Sequence, residues 1–294
     1  METHKIAALL KAIDLRSITK ASEELGYTQS GVSHMVKSLE NELGFPLLVR
    51  GKAGVEPTED CLKLLPAMRE ISRWVADLEE TADDIKGVLC GRVRIGAYTS
   101  LSVNWLPAII KAFQERYPRV EIEVVETGGQ TLPAELDCGG VDIGFGCIPP
   151  DGREGWSPLL EDELMVVAPP DTPIKDSFSV HGFHRAPFVS PVQLFDSEVA
   201  GVFKAHGVEP VVKFSSTDDY TIISMVEQGL GMSILPRLVL QGYSHCNVRT
   251  APLEPRCMRE LGIALPLGRA LSPAVRKFVE CAESIVRSSK GSQQ

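Results

Sequence analysis

The sequence has no run of about 18 apolar residues that could cross a bilayer. Its first residues, METHKIAALLKAI, contain neither a long apolar core nor a secretory cleavage site. Both absences argue for a cytoplasmic protein. Cysteine is sparse: seven in 294 residues, an odd number with no C-x-x-C, which excludes a disulfide framework. The signatures G-x-S-x-G, H-E-x-x-H and the phosphate-binding loop are missing, and Gly229-Leu230-Gly231 lacks the third glycine of a dinucleotide loop. Nothing points to an enzyme or a cofactor. His181-x-x-His184 has no further ligand nearby in sequence and reads as a solvated loop rather than a metal site. Positive charge is short as well. Lysine and arginine number 30 against 39 acidic residues, a net charge of −9. That excludes a general polyanion binder, but not a DNA reader whose charge is local to the groove.

What the chain does contain is an apolar fraction of 44% and a charged fraction of 23%, those of a globular protein, with length for two or three cores. The stretch Ile18 to Lys37, ITKASEELGYTQSGVSHMVK, reads as two short helices around a tight bend. Ile18, Ala21 and Leu25 share one face of the first helix, and Gly26-Tyr27 break the pattern. Thr28 is placed to cap the second helix. Val32, Met35, Val36, Leu39 and Leu43 then recur on one helical face. Gln29, Ser30, Ser33, His34 and Lys37 are left outward, all able to hydrogen-bond. Such a row suits the major groove, whose base edges carry a donor and acceptor code. Taken alone it also fits a solvated helix of an ordinary bundle, so the surroundings decide.

Upstream, Ile6, Leu9, Leu10 and Ile13 are spaced to cover these two helices. Downstream, Gly44 stops the second helix, and Leu47-Leu48-Val49-Arg50 is a short extended piece. Gly51, Gly54 and Pro57 make a turn-rich loop, so Arg50 and Lys52 ride on a wing suited to phosphates. Five basic residues between Arg16 and Lys52 face four acidic ones, so a single copy should bind DNA weakly. Thr58 caps a further helix in which Cys61, Leu64, Met68, Ile71, Val75, Leu78, Ala82 and Ile85 alternate steps of three and four. That heptad seam predicts pairing with a like helix about 40 Å long, with Pro66 as its one interruption.

From Arg92 onward strands and helices alternate. Strands are predicted at Val93–Ala97, Val120–Val125, Val141–Phe145, Leu164–Ala168, Phe188–Val189, Val211–Phe214 and Met232–Leu235. Helices are predicted at Leu101–Arg116, Leu132–Cys138, Leu194–His206, Asp219–Gln228 and Ser272–Ser288, the last packing on the first lobe. This alternation implies mostly parallel sheets in two lobes, with a hinge near Pro149-Pro150 and ligands beyond the strand ends.

These residues carry a resemblance over essentially the whole chain. Ala21-Ser22-Glu23-Glu24-Leu25-Gly26, Thr28-Gln29-Ser30-Gly31-Val32-Ser33, Leu39-Glu40-Asn41-Glu42-Leu43-Gly44, Leu47-Leu48-Val49-Arg50 and Pro57-Thr58 resemble the LysR-type transcriptional regulators in order and spacing. In the second half, Leu136 to Gly144 resembles the family's L-x-x-G-x-x-D-x-G pattern. Gly229 to Pro236 resembles its late glycine-rich strand. Ile18 and Leu48 depart from the family's phenylalanines. Gly31 inside the second helix costs about 1 kcal/mol relative to alanine.

The resemblance implies an N-terminal winged helix-turn-helix (residues 1–58), a long dimerising linker helix (59–89) and a C-terminal α/β effector domain (90–294) of the two-lobed, periplasmic-binding-protein-like kind. Lobe 1 would span about 90–160 and 265–294, and lobe 2 about 161–264. It implies a homodimer or homotetramer that binds double-stranded DNA and is governed by a small molecule in the interlobe cleft. Carried onto this chain, Thr28, Gln29, Ser30, Ser33, His34 and Lys37 contact DNA, with Gln29 reading a base edge and Arg50 and Lys52 holding the backbone. The effector candidates are Thr99, Ser100, Ser102, Gly128, Gln130, Val189, Ser190, Thr217 and Asp218, at strand ends and helix starts. Hydroxyls and amides at the first of these favour a carboxylate or other anion. Two other readings stand beside this one. One is a thiol-based regulator using Cys138 and Cys147, although nothing cationic adjoins either in sequence. The other is a cytoplasmic solute-binding protein.

Overall fold

The computed structural model describes residues 2–51, 54–86, 89–128, 131–147, 155–191, 198–268 and 270–290. The chain forms two compact units, residues 1–91 with 271–274, and residues 92–270 with 275–294.

In the first unit, α1 (Thr3–Asp14), α2 (Ile18–Leu25) and α3 (Gln29–Leu43) are bounded by signals written in the local sequence. Ser17 Oγ accepts the Lys20 amide at 3.3 Å, and Gly26, at φ 70°, closes α2 in the left-handed conformation. Thr28 Oγ1 accepts the Gly31 amide at 3.1 Å and opens α3. Lys5 to Glu42 at 2.6 Å and Lys11 to Glu24 at 2.5 Å tie α1 to the other two helices. Ile6, Leu9, Leu10, Val36, Leu39 and Leu47 form the core. Cys61 and Met68 of α4 (Glu59–Ile85) close it, and α4 continues through Pro66. Burial of the Cys61 thiol in that core pushes its pKa up to about 11.

The wing is an antiparallel hairpin of β1 (Leu48–Gly51) and β2 (Gly54–Pro57), with Val49 opposite Glu56 and Arg50 opposite Val55. Its position is set by two contacts. Glu40 Oε1 accepts the amides of Leu47 at 2.8 Å and Leu48 at 3.3 Å, anchoring the first strand to α3. The Val55 amide donates to the Arg16 carbonyl at 3.1 Å, anchoring the second to the turn after α1. Gly54 has φ 123°, and a Cβ there would lie 2.0 Å from that carbonyl, so only glycine allows the approach.

The second unit is an α/β fold of two lobes. In the first, β3 (Gly91–Ala97) runs parallel to β5 (Ile143–Cys147) and neighbours β4 (Val120–Glu126). The expected helix Leu101–Arg116 is instead two, α5 (Thr99–Asn104) and α6 (Leu106–Arg116), broken at Trp105 because Pro107 enters at the start of α6. α7 (Thr131–Asp137) seats Leu132 directly on the sheet. A Cβ at Gly96, Gly144 or Gly146 would come within 2.9 Å of that leucine, so all three glycines make room for one side chain. Asp142 accepts the Arg94 amide at 2.8 Å and its guanidinium at 2.9 Å. The L-x-x-G-x-x-D-x-G pattern is therefore a packing device that joins α7 to β3 and β5.

The sheets are mixed rather than mostly parallel, because one long strand runs through both lobes and pairs antiparallel in each. β6 (Trp156–Ala168) pairs with β12 (Met258–Ala264) over Trp156–Glu163. From Leu164 onward it pairs with β10 (Ser233–Pro236) and β11 (Arg249–Glu254). The lobes are thus joined at residues 161–164 and 254–258, while the hinge expected at Pro149-Pro150 lies outside the described residues. In the second lobe β7 (Phe178–Ser179) runs parallel to β11, and β8 (Pro187–Pro191) runs parallel to β9 (Val211–Ser216), followed by α9 (Asp219–Glu227) and α10 (Arg237–Leu240). α8 (Glu198–Ala205) contributes Phe203, which meets Phe183 and Phe188 edge-on at centroid distances of 5.5 and 5.3 Å. In the glycine-rich stretch, Gly229 ends α9 at φ 76°. Gly231 admits the Pro187 carbonyl, and the Ser233 hydroxyl donates to the Val189 carbonyl at 2.8 Å. The last helix, α11 (Pro273–Lys290), lays Phe278 against Phe113 of lobe 1 with centroids 5.0 Å apart.

Candidate DNA-reading surface and effector cleft

α3 presents Gln29, Ser30, His34 and Lys37 exposed along one side, with Ser33 half-buried between them. Their backbone is locked by the Thr28 cap, whose Oγ1 lies 3.1 Å from both the Gly31 amide and the Ser30 hydroxyl. Gly31 does not loosen this turn. A Cβ there would stand 3.1 Å from Thr28 Oγ1, so glycine leaves the cap uncrowded. Lys37 lies 3.5 Å from Glu40 and keeps most of its side chain in solvent. Arg50 is on β1, and Lys52 lies outside the described residues. Arg16, which the sequence reading did not single out, stands exposed at the base of the wing, where its carbonyl holds β2.

On α4, the first half of the heptad faces the core of its own unit, and the second half does not. Leu78 is 70% exposed and Ile85 82% exposed, with Trp74 at 51%. So long a helix with its apolar seam in water has surface to bury against another copy.

Between the two lobes of the second unit lies an open cleft with an inner cavity of about 30 Å³, lined by Tyr98, Thr99, Ser100, Pro191, Ser216, Thr217, Asp219, Pro236, Val239 and Arg259. Three of the expected residues, Thr99, Ser100 and Thr217, are brought together there. Others are not. Val189 is wholly buried, its amide donating to Met232 and its carbonyl accepting from Ser233, and Ser190 is buried beside it. Gly128 donates its amide to Thr131 Oγ1 at the start of α7, and Gln130 lies outside the described residues. Asp218 caps α9 through the Thr221 amide at 2.7 Å, which with the Thr221 hydroxyl holds its carboxyl below the usual range. Ser102 is not on the cleft wall, and its buried hydroxyl has no hydrogen-bond partner among the described residues.

Sequence reasoning missed Tyr98, Ser216, Asp219 and, at the centre of the joint, Arg259. Arg259 is 5% exposed and pairs with Asp162 through Nε at 2.9 Å and Nη2 at 2.8 Å, while Nη2 also donates to Ser100 Oγ at 3.1 Å. Asp162 Oδ1 in turn accepts the Leu238 amide at 3.0 Å. Asn104 Nδ2 donates to the carbonyls of Ser100 at 2.8 Å and Leu238 at 3.1 Å. One network therefore joins the crossing strands β6 and β12 to α5 in lobe 1 and α10 in lobe 2. Its signal in sequence was weak: two charged residues 97 positions apart, on strands recognisable only once paired. The features that argued for an anion are engaged internally. Thr99 Oγ1 donates to Glu126 at 2.6 Å, and the amides of Leu101 and Ser102 donate to the Tyr98 carbonyl.

None of the seven cysteines forms a disulfide, and Cys138 donates weakly to the carbonyl and carboxylate of Glu135. Burial pushes the thiols of Cys246, Cys257 and Cys281 up. His184 Nδ1 accepts the Glu209 amide at 3.3 Å, a structural use of the pair His181 and His184.

A winged helix-turn-helix followed by a cleft-bearing two-lobed α/β domain defines a transcriptional regulator with an effector-binding domain. The chain belongs to the LysR family. Residues 3–62 match the bacterial regulatory helix-turn-helix protein model of the lysR family, and residues 86–286 match the LysR substrate binding domain. It is 26% identical over 289 residues to YvbU of Bacillus subtilis, an uncharacterised HTH-type transcriptional regulator, covering 97% of this chain and 99% of that one. It is also 26% identical to the HTH-type transcriptional regulator BenM of Acinetobacter baylyi, covering 90% of each chain. Among solved structures it resembles full-length CbnR complexed with its target DNA, with a TM-score of 0.66 at 18% identity over 97% of this chain and 99% of that one. No described helix is long and apolar enough to cross a membrane.

Proposed function

We propose that this regulator reads its operator as a homo-oligomer through α3, and that a small molecule held between the lobes of residues 90–294 adjusts that reading. The observation that carries the first part is the capped α3, whose exposed hydrogen-bonding residues are set at helical spacing. Gln29 pairs with an adenine edge, Ser30, Ser33, His34 and Lys37 contact neighbouring bases or phosphates, and Arg50, Lys52 and Arg16 hold the backbone. Residues 1–58 are the reading head and 59–89 the linker. The exposed Leu78 and Ile85 seam pairs two linkers, each buried side chain contributing about 2 kcal/mol. Such a protein works in the cytoplasm, beside the chromosome.

The effector is held by Thr99, Ser100, Ser216 and Thr217. The Asp162–Arg259 network is the joint it acts on, since Ser100 belongs both to the cleft wall and to that network. Footprinting of Gln29→Ala against the wild type tests the reading head. Weak salt-dependent binding should persist with operator discrimination lost, whereas an unchanged sequence preference contradicts the assignment.

A further inference from the structure

The reading of the cleft as the effector site leaves the chemistry of the effector open, and the charges lining the cleft narrow it. Arg259 is the only cation among the described lining residues, and its guanidinium is already held by Asp162 and Ser100. Asp219, by contrast, is a half-buried cleft carboxylate with no hydrogen-bond or ion-pair partner among the described residues. Beside it stand Ser216 and Thr217, hydroxyl oxygens able to accept further bonds. A half-buried carboxylate that feels only the through-space pull of a guanidinium already held by Asp162 and Ser100 is unfavourable, and a bound cation relieves it.

We propose that the effector carries an ammonium group and that Asp219 is its counter-ion in the cleft. An ammonium has three donors and no acceptor. The Asp219 carboxylate takes one, and the hydroxyl oxygens of Thr217 and of Ser216, which also accepts the Asp218 amide at 3.1 Å, line the same cleft for the others. The groups that act on Asp219 are Asp218 on the same turn, Glu126 at the end of β4 and Arg259 on β12; Tyr243 stands close enough to feel its charge. Burial, together with Asp218 and Glu126, raises the Asp219 carboxyl to about 6 against the opposing pull of Arg259. Ammonium binding therefore weakens as the pH falls through about 6 and the carboxylate is protonated.

The test is amide NMR of the deuterated full-length protein titrated with n-butylammonium, butanoate and butanamide, each to tens of millimolar. Butylammonium should shift the Thr99–Ser100 and Ser216–Tyr220 amides saturably, while butanoate and butanamide leave them in place. Asp219→Asn should weaken that binding about tenfold, and Asp219→Glu should retain it. If butanoate shifts these amides and butylammonium does not, the cleft is a ligand site of the opposite charge and the proposal is overturned alone. If butylammonium binds Asp219→Asn as well as the wild type, Asp219 is not its counter-ion. If no probe shifts the cleft amides, the assignment of the cleft as the effector site falls with the proposal.

Discussion

Polar side chains are deployed in opposite ways in the two units. On α3, Gln29, Ser33 and His34 meet no hydrogen-bond partner among the described residues and face solvent or sit half-buried at its edge. At the interlobe joint, Arg259, Asp162, Ser100 and Asn104 satisfy one another almost completely. The difference follows from what each surface meets. A duplex supplies a fixed array of donors and acceptors, so a reading helix keeps its own groups unsatisfied and its backbone rigid. A joint buried between two lobes must keep its own charges compensated without a ligand, or it would not hold. Deleting a side chain from α3 should therefore alter function with little change in stability, and deleting one from the joint should alter both.

The largest effect is expected at that joint. Arg259→Ala leaves Asp162 buried without its counter-charge, a loss of about 3–5 kcal/mol. Urea unfolding followed in the effector domain measures it, and a loss below about 1 kcal/mol would mean that the network is not load-sharing between the lobes. On α3, Gln29→Ala should reduce discrimination between operator and random DNA by about 1–3 kcal/mol, with unfolding unchanged to within about 0.5 kcal/mol. A comparable loss of stability would erase the contrast between the two regions.

The contrast also explains what could be read in advance. The helix-turn-helix was legible because its boundaries are local: Ser17, Gly26, Thr28 and Gly44 lie within a turn of the amides and carbonyls they serve. The strand and helix alternation of the lobes was legible for the same reason. The joint was not. β6 and β12 show no clean alternation in Trp156–Glu163 or Met258–Ala264, and their meaning arises from pairing across about a hundred residues. Val189 and Ser190 were assigned to the cleft because they end a strand. The strand carries them into the sheet of lobe 2 instead, where Met232 and Ser233 take their neighbouring backbone groups. Pro107 was visible in the sequence, yet the periodicity of Leu101–Arg116 masked the break it causes.

Smaller effects sharpen the comparison further. Asp219 titrates at about 6 in the folded protein against about 3.9 for an unperturbed aspartate, so the folded state favours its neutral form. Its contribution is unfavourable above pH 6 and vanishes below about pH 4, where both states are protonated. Asp219→Asn should therefore be more stable than the wild type by about 1 kcal/mol at pH 7, discounted for its partial exposure, with no difference near pH 4. Thermal unfolding at the two pH values measures it, and an equal difference at both contradicts the assignment.

On α4, Leu78→Glu should shift the proposed dimer towards monomer without unfolding the reading head, as seen by sedimentation, because the side chain is 70% exposed within its own unit. The smallest effect concerns the α3 cap. Thr28→Ala should cost about 1 kcal/mol, and Gly31→Ala should stabilise that variant more than it stabilises the wild type, because the crowding oxygen has gone. A double-mutant cycle showing no coupling would contradict the role given to Gly31.

The central claim is that an oligomer reads paired half-sites through α3. Selection of bound sequences from a random DNA pool by the full-length protein tests it most directly. Wild type should enrich a two-fold symmetric sequence whose half-sites lie one helical turn or a multiple apart, and Gln29→Ala should bind the pool weakly with no enrichment. Enrichment of the same sequence by Gln29→Ala, or of a single unpaired half-site by the wild type, would contradict it.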